Sequence, residues 1–442
     1  MLAALTSCLT SSSAGSAHSR SSALSGQRGT LWVVNRFTDN VTAYDGSTGR
    51  VLATITVGKQ PNSVVVAPGT DKAYVTNEVS NTVSVISTMT REVVKTIKVP
   101  SDPHHIRTSR DGRRLYVSEY ATNRVAVINT ATDAVIAEYD THPNVAARNH
   151  SSWITRDQRT LYLVNEGVNE VTAINARTGR RIFSLAVGNR PSEVLVAPGG
   201  TTAYVSVRGS ENKIKAIDLK KHALVGEVSL GQQPDTLQLT PNGKLLLIGM
   251  RGLPAELDVV AVPSLSVVAT VTVAESGTLA GHNWISANGR YSFISYEGGS
   301  QAGIAVVDHK TGHRVVARYP YPGGGRPHGV YYDDPAATEG PGVAISPRAK
   351  VTSNDVRIEV VCSARAVGFC RGRLTLAGIG SGTLSATAGR STRVQVKMSK
   401  AGLTRLTAAG QLRVRAIAIA RDQLGNSRKT ARLVTVTASR RG

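Results

Sequence analysis

The chain has 442 residues, enough for two domains that each bury a core of their own. Lysine and arginine total 52 against 30 acidic residues, a net charge of +22, and three cysteines are too few for a scaffold built on disulfides. No apolar run reaches the ~18 residues that a membrane-spanning helix needs.

In chain order, an apolar start, Met1 to Leu5, leads into Leu5-Thr6-Ser7-Cys8 and then Ser/Ala/Gly-rich sequence to Gln27. The tetrapeptide resembles the lipobox of bacterial lipoproteins, which implies lipidation of Cys8. Residues 1–28 therefore read as an export or lipoprotein-like leader with a Ser-rich linker.

From residue 29 one short pattern recurs. Lys72-Ala73-Tyr74-Val75-Thr76-Asn77-Glu78 has counterparts with anchors at Trp32, Tyr116, Tyr162, Tyr204, Leu247 and Phe293. Successive anchors lie 42, 42, 46, 42, 43 and 46 residues apart. A period near forty made of β-branched runs and polar turns predicts an all-β propeller with four strands per blade. In the second repeat the strands are expected at 61–67, 73–77, 82–86 and 93–99, separated by turns such as Pro68-Gly69-Thr70-Asp71. Leading strands begin near 61, 103, 149, 191, 234, 281 and 327, which gives seven blades. The first repeat lacks a leading strand, and Pro327 to Tyr332 is a leading strand with nothing after it. The two ends are therefore expected to complete one blade and remove the open sheet edges. The literal Tyr74-Val75-Thr76-Asn77 resembles the YVTN family of β-propellers, which includes exported YncE-like proteins. That resemblance covers residues 29–335 and implies the same fold, with functions that are diverse.

Residues 336–345 read as a linker, and 346–442 as a basic module. From Gly340 onward there are 19 basic and 3 acidic residues, +16, against 33 and 27, +6, in the rest. Five or six strand-like runs are expected, among them 356–361, 373–377, 392–397, 412–420 and 432–437, and no helix. The module resembles the immunoglobulin-like β-sandwiches of exported bacterial proteins. Cys362 and Cys370 lie eight apart and are expected to bridge a hairpin as a disulfide, in an oxidising compartment. The charge suits an anionic cell envelope, a membrane surface or nucleic acid, or merely a solvated basic face.

Propeller topology turns the repeat into a candidate site. The position after each strand-opening residue forms one ring: Asn62, His104, Ser192, Asp235 and His328, with His150 and Gly281-His282 in the diverged repeats. Four residues past each anchor lies a second ring: Arg36, Glu78, Tyr120, Glu166, Arg208, Arg251 and Glu297. With His105, the first ring holds half of the ten histidines. Both rings fall on the channel mouth, where convergent polar groups suit a ligand. The alternative is that the charges pair between blades and the histidines cap backbone groups. Trp153 and Trp284 read as packing between blades, or as an aromatic wall for a sugar or base.

The sequence assigns no metal and no cofactor. His309 and His313 have HxxxH spacing, but across a turn, and the ring histidines come from different blades. No Gly-x-Ser-x-Gly elbow for a nucleophilic serine is present. The resulting expectation is an exported, periplasmic or cell-surface monomer that binds a small molecule or protein at the His/Glu/Arg face. One alternative is a lactonase- or lyase-like enzyme drawing on Glu166, Glu297, His150 or His328. Another is a YncE-like DNA-binding protein.

Overall fold

The computed structural model describes residues 24, 27 and 29–438, except 144, 276–278, 299–301, 323–325, 335–342, 353–354, 363–368, 388–389 and 422–426. Cys8 and the predicted leader up to residue 23 lie outside the described residues.

The repeats fold into seven four-stranded antiparallel sheets, the blades of a propeller. The inner strands are Pro61–Val66, Pro103–Thr108, Asn149–Ile154, Pro191–Val196, Gln233–Leu239, Leu279–Ile285 and Pro327–Asp333. The last of these pairs with Thr30–Asn35, Thr30 opposite Asp333 and Val33 opposite Val330, so the first blade is completed by both ends of the array. Burial falls outward along each blade. Pro61–Val66 is wholly buried, whereas Val93–Lys98, at the rim of the same blade, buries only Ile97.

The anchors explain the fixed period. Each of the seven lies in a separate core cluster: Trp32, Tyr74, Tyr116, Tyr162, Tyr204, Leu247 and Phe293. The Tyr74 cluster, for example, joins Val65, Val83 and Val85 of one blade to Ile106, Leu115 and Ala126 of the next. A large apolar side chain at mid-blade is what one blade offers its neighbour, and removing it from water is the main force holding the ring together.

One feature of the inner strands is not written in the repeat pattern. In every blade the pairing between inner and second strand skips at the same place: between Pro61 and Val64, Pro103 and Ile106, Asn149 and Ser151, Pro191 and Glu193, Pro234 and Thr236, Ala280 and Asn283, and Val33 and Asn35 on the partner of Pro327–Asp333. A bulge releases its residues from the ladder and re-aims their side chains. The released positions are those of the first ring.

Residues 343–438 form the separate C-terminal β module that was expected, as a closed, sandwich-like barrel of seven strands. Its order is Val343–Thr352, Asp355–Cys362, Ser391–Met398, Gly380–Thr387, Phe369–Leu376, Gln411–Arg421 and Ser427–Thr437, closed by parallel pairing of the last with the first. The first strand takes in residues 343–345 of the predicted linker. A helix, Lys400–Ala409, also contradicts the reading without helices. Ser399 caps it by accepting from the Gly402 N–H at 3.1 Å, and Gly410 ends it in the left-handed conformation. Cys362 and Cys370 form the expected disulfide, but not across a hairpin. The two strands that carry them are not neighbours, so the bond crosses the barrel core, where both sulfurs are buried. Along Gln411–Arg421, Val414, Ala416 and Ala418 face in while Arg413 and Arg415 face out, the period of two that a barrel wall requires.

Candidate functional site

The bulges and strand ends meet at one end of the channel around a cavity of about 580 Å³. Asn62, His104, His105, His150, Asp235, His282 and His328 line it from the inner strands. Arg36, Glu78, Tyr120, Glu166, Arg208, Arg251 and Glu297 line it from the ends of the second strands. Both rings thus reach one concavity. Ser192 does not: its hydroxyl is buried on Ser206 and the Asp235 carbonyl.

Three further lining residues, Asp102, Arg190 and Arg326, were missed from the sequence. Each immediately precedes an inner strand, and its carbonyl accepts from the N–H of a second-ring residue: Tyr120, Arg208 and Arg36, at 3.0–3.1 Å. The same 42-residue register that gave the other rings would have found them, one position before the strand-opening residue.

Most of the charged groups pair across blade boundaries, as the structural alternative held, while Asp235 and Arg251 pair within one blade. Arg36 bonds Glu78, Glu166 meets Arg190 at 2.9 Å and Arg208 at 3.4 Å, and Asp235 meets Arg208 at 3.2 Å and Arg251 at 3.4 Å. Arg326 reaches Glu297 at 2.6 Å. Burial opposes the charge on Glu78, but hydrogen bonds and charge from His104 and Arg36 outweigh it and hold the carboxyl at about 2. Burial, and then the Glu78 charge, push Asp102 the other way.

The histidines do not behave as that alternative requires. His104 Nδ1 lies 2.5 Å from Glu78 Oε1, and His328 Nδ1 lies 3.3 Å from Glu297 Oε1. His105 Nε2 and His150 Nδ1 are buried with no hydrogen-bond partner. Leaving such an atom unpaired costs about 1–3 kcal/mol, so its retention at two adjacent positions marks the spot. The rings of His104, His105 and His150 stand 4.7–5.1 Å apart, and His282 lies 5.1 Å from His105. One ring nitrogen from each of His104, His105 and His150 lies within 4.8 Å of the others. Burial above all, with neighbouring positive groups adding to it, holds His105, His150 and His282 well below the usual imidazole range. They are neutral at pH 7, with lone pairs available.

Beneath this floor the channel is plugged. Arg107 and Glu193 form a buried ion pair, Arg107 also donates to the Ser152 carbonyl at 3.3 Å, and Glu193 accepts from the Leu237 N–H at 2.9 Å. Trp153 and Trp284 flank the guanidinium at 5.1 and 5.8 Å. With Tyr331 and Pro198 they wall a separate hollow of about 340 Å³, made from the other ends of the inner strands. The tryptophans therefore pack against the inter-blade clusters and wall the channel beneath the mouth. His309 and His313 are apart from the histidine floor: they meet each other at 2.9 Å and do not line the mouth.

Comparison with known proteins agrees with the fold. A family model described as "Lactonase, 7-bladed beta-propeller" matches residues 52–179 and 97–252, together less than half of the chain. No curated protein matches. Among solved structures, the chain is similar to Kuenenia stuttgartiensis hydrazine synthase at 22% identity and a TM-score of 0.56, over 63% of this chain and 92% of that one. It is similar to a functionally unknown protein from Desulfotomaculum acetoxidans DSM 771 at 15% identity and a TM-score of 0.59, over 70% and 99%. It is also similar to a Bacteroides uniformis ATCC 8492 protein provisionally assigned as a 6-phosphogluconolactonase, at 15% identity and a TM-score of 0.56, over 69% and 100%. Likenesses this remote speak to the fold and not to the ligand.

Proposed function

We propose that this chain is an exported binding protein that holds a small polar ligand in the channel mouth. The observation that carries the reading is the convergence of fourteen side chains from two rings on one cavity, with two buried imidazole nitrogens left unpaired on its floor. Many of the charged groups are already paired, which favours a preorganised binding face over a flexible one. Export is supported by the Cys362–Cys370 disulfide, which suits an oxidising compartment. A thermal-shift screen of small polar metabolites should find a ligand whose affinity falls at least tenfold in His150→Ala, Glu166→Ala and His328→Ala. If all three variants respond as the parent does, the face is structural.

A lactonase-like activity is the second reading, favoured by the family match. Here a mouth carboxylate would take the proton from water as its oxygen attacks the lactone carbonyl, with a nearby arginine facing the oxygen that gains charge. Asp102, whose carboxyl burial has raised, is better suited to that role than Glu78. The same variants, with Asp102→Asn, assayed against δ-lactones would separate the readings: hydrolysis lost in Asp102→Asn makes the protein an enzyme.

The basic barrel is proposed to hold the protein against an anionic envelope polymer. Arg393, Lys397, Arg413 and Arg415 are all exposed on its wall. Replacing these four by Glu should sharply lower the salt concentration that elutes the protein from a polyanion column, because such binding depends steeply on salt through counterion release. Unchanged elution would move the polyanion site to the propeller and favour the DNA-binding reading.

A further inference from the structure

We propose that His104, His105 and His150 bind one late first-row transition-metal ion, of the Cu²⁺ or Zn²⁺ class, at the floor of the channel mouth. The proposal deepens the binding reading above and rests on it for the cavity, not for the identity of any organic ligand.

The donor set is the first argument. The three imidazoles come from two neighbouring blades and bring one ring nitrogen each within 4.8 Å of the others. An ion held at ~2.0–2.1 Å by each nitrogen needs them about 3.4 Å apart in a tetrahedral arrangement. Three imidazole nitrogen donors select a borderline ion over Mg²⁺ or Ca²⁺, which want oxygen.

The support of the donors is the second argument. His104 places Nδ1 on Glu78 at 2.5 Å, which leaves Nε2 to ligate, and Glu78 is itself held by Asn62 at 2.6 Å and by Arg36. A carboxylate behind a histidine fixes its tautomer and orientation, the usual arrangement around a metal-bound imidazole. His105 and His150 are 4% and 9% exposed, and each leaves a buried nitrogen without a partner. A single ion would satisfy both, whereas polar atoms buried this deeply are ordinarily paired. The remaining coordination positions would face the cavity, so the site is of the open kind, able to take a small ligand through an amine, carboxylate or water.

The test is titration of the metal-stripped full chain with Cu²⁺, Zn²⁺ and, as an optical probe, Co²⁺, with Mg²⁺ as the control. One ion per chain is expected. Its affinity should fall at least a hundredfold in His105→Ala or His150→Ala, and roughly 10–100-fold in Glu78→Gln. No saturable binding, equal binding in these variants, or loss only in His309→Ala or Cys8→Ser would overturn the site. Should a histidine variant fail to fold, the Cu²⁺ electron paramagnetic resonance spectrum of the parent decides instead. Nitrogen coupling from three imidazoles supports the proposal, and coupling from fewer than three overturns it. A ligand-induced thermal shift that survives complete chelation, in a chain that binds no metal, would overturn the ion while leaving the mouth a binding site.

Discussion

Deletion of residues 327–334 is expected to unfold the propeller, not to trim it. Pro327–Asp333 is the inner strand of the first blade, and that blade has no other. Val330 and Tyr332 are 5% and 3% exposed, and the Tyr332 ring stacks on Phe293 of the adjacent blade at 4.6 Å. Gly329 runs so close to the second blade that a Cβ there would lie 2.4 Å from the Asn62 carbonyl oxygen. Loss of the strand therefore strips the first blade from the seventh and the second at once. Each buried aromatic of this size carries about 3–5 kcal/mol, against a total stability of roughly 5–15 kcal/mol. Circular dichroism and calorimetry should show no cooperative propeller transition. A truncated chain that melts at the parent temperature would refute closure through this strand.

Arg107→Met is expected to cost about 3–5 kcal/mol, the range for removing one partner of a buried ion pair. Glu193 is 2% exposed, and the substitution leaves its buried carboxylate without its charge partner, holding only the Leu237 N–H bond. At about 2–4 °C per kcal/mol for a domain of this order of size, the melting temperature should drop by roughly 6–20 °C. The pH dependence has a definite sign. Burial already pushes the Glu193 carboxyl above its ordinary value, with Arg107 pulling it back. Without Arg107 the upward shift grows, and the folded state then prefers the protonated acid. The penalty is therefore small below the unfolded carboxyl range and rises as pH climbs through the folded value. Adding Glu193→Leu should recover most of the loss and remove this pH dependence. A single variant that melts like the parent at pH 5 and at pH 8 would show the plug to be unimportant for stability.

The blades were legible because their signal is redundant. Seven anchors at a near-constant interval each seed one inter-blade core, so the diverged Leu247 copy still falls into register. The two rings were legible for the same reason: a register fixes which strand ends share a face. What those side chains do to each other was not legible. Whether Glu78 meets Arg36, or His105 is left without a partner, depends on distances between blades that no local spacing encodes. The bulge escaped too, since a skip in pairing leaves no residue signature when Asn62, His104 and Ser192 all tolerate it. The barrel was read less well. Gly380–Thr387 has few β-formers, yet it is a strand because Gly380 and Gly382 sit where a Cβ would meet the carbonyls of Lys397 and Gln395 at 1.9 and 2.1 Å. The Cys362–Cys370 spacing suggested a hairpin, but strand order is a property of the closed sheet and not of the eight-residue interval.

The sevenfold bulge separates what the propeller is from what it recognises. A residue lifted out of the ladder is released from the pairing of inner and second strand, so its identity is less constrained by the sheet. Asn, His, Ser and Asp already share that one position in this chain, on inner strands of the same design. The strand end that supplies the other ring is nearly as permissive, carrying Glu, Arg or Tyr. For an engineer, these are addresses at which a new binding preference could be written without redesigning the scaffold. For a lineage, they are the reason that propellers alike in backbone can diverge in what they hold.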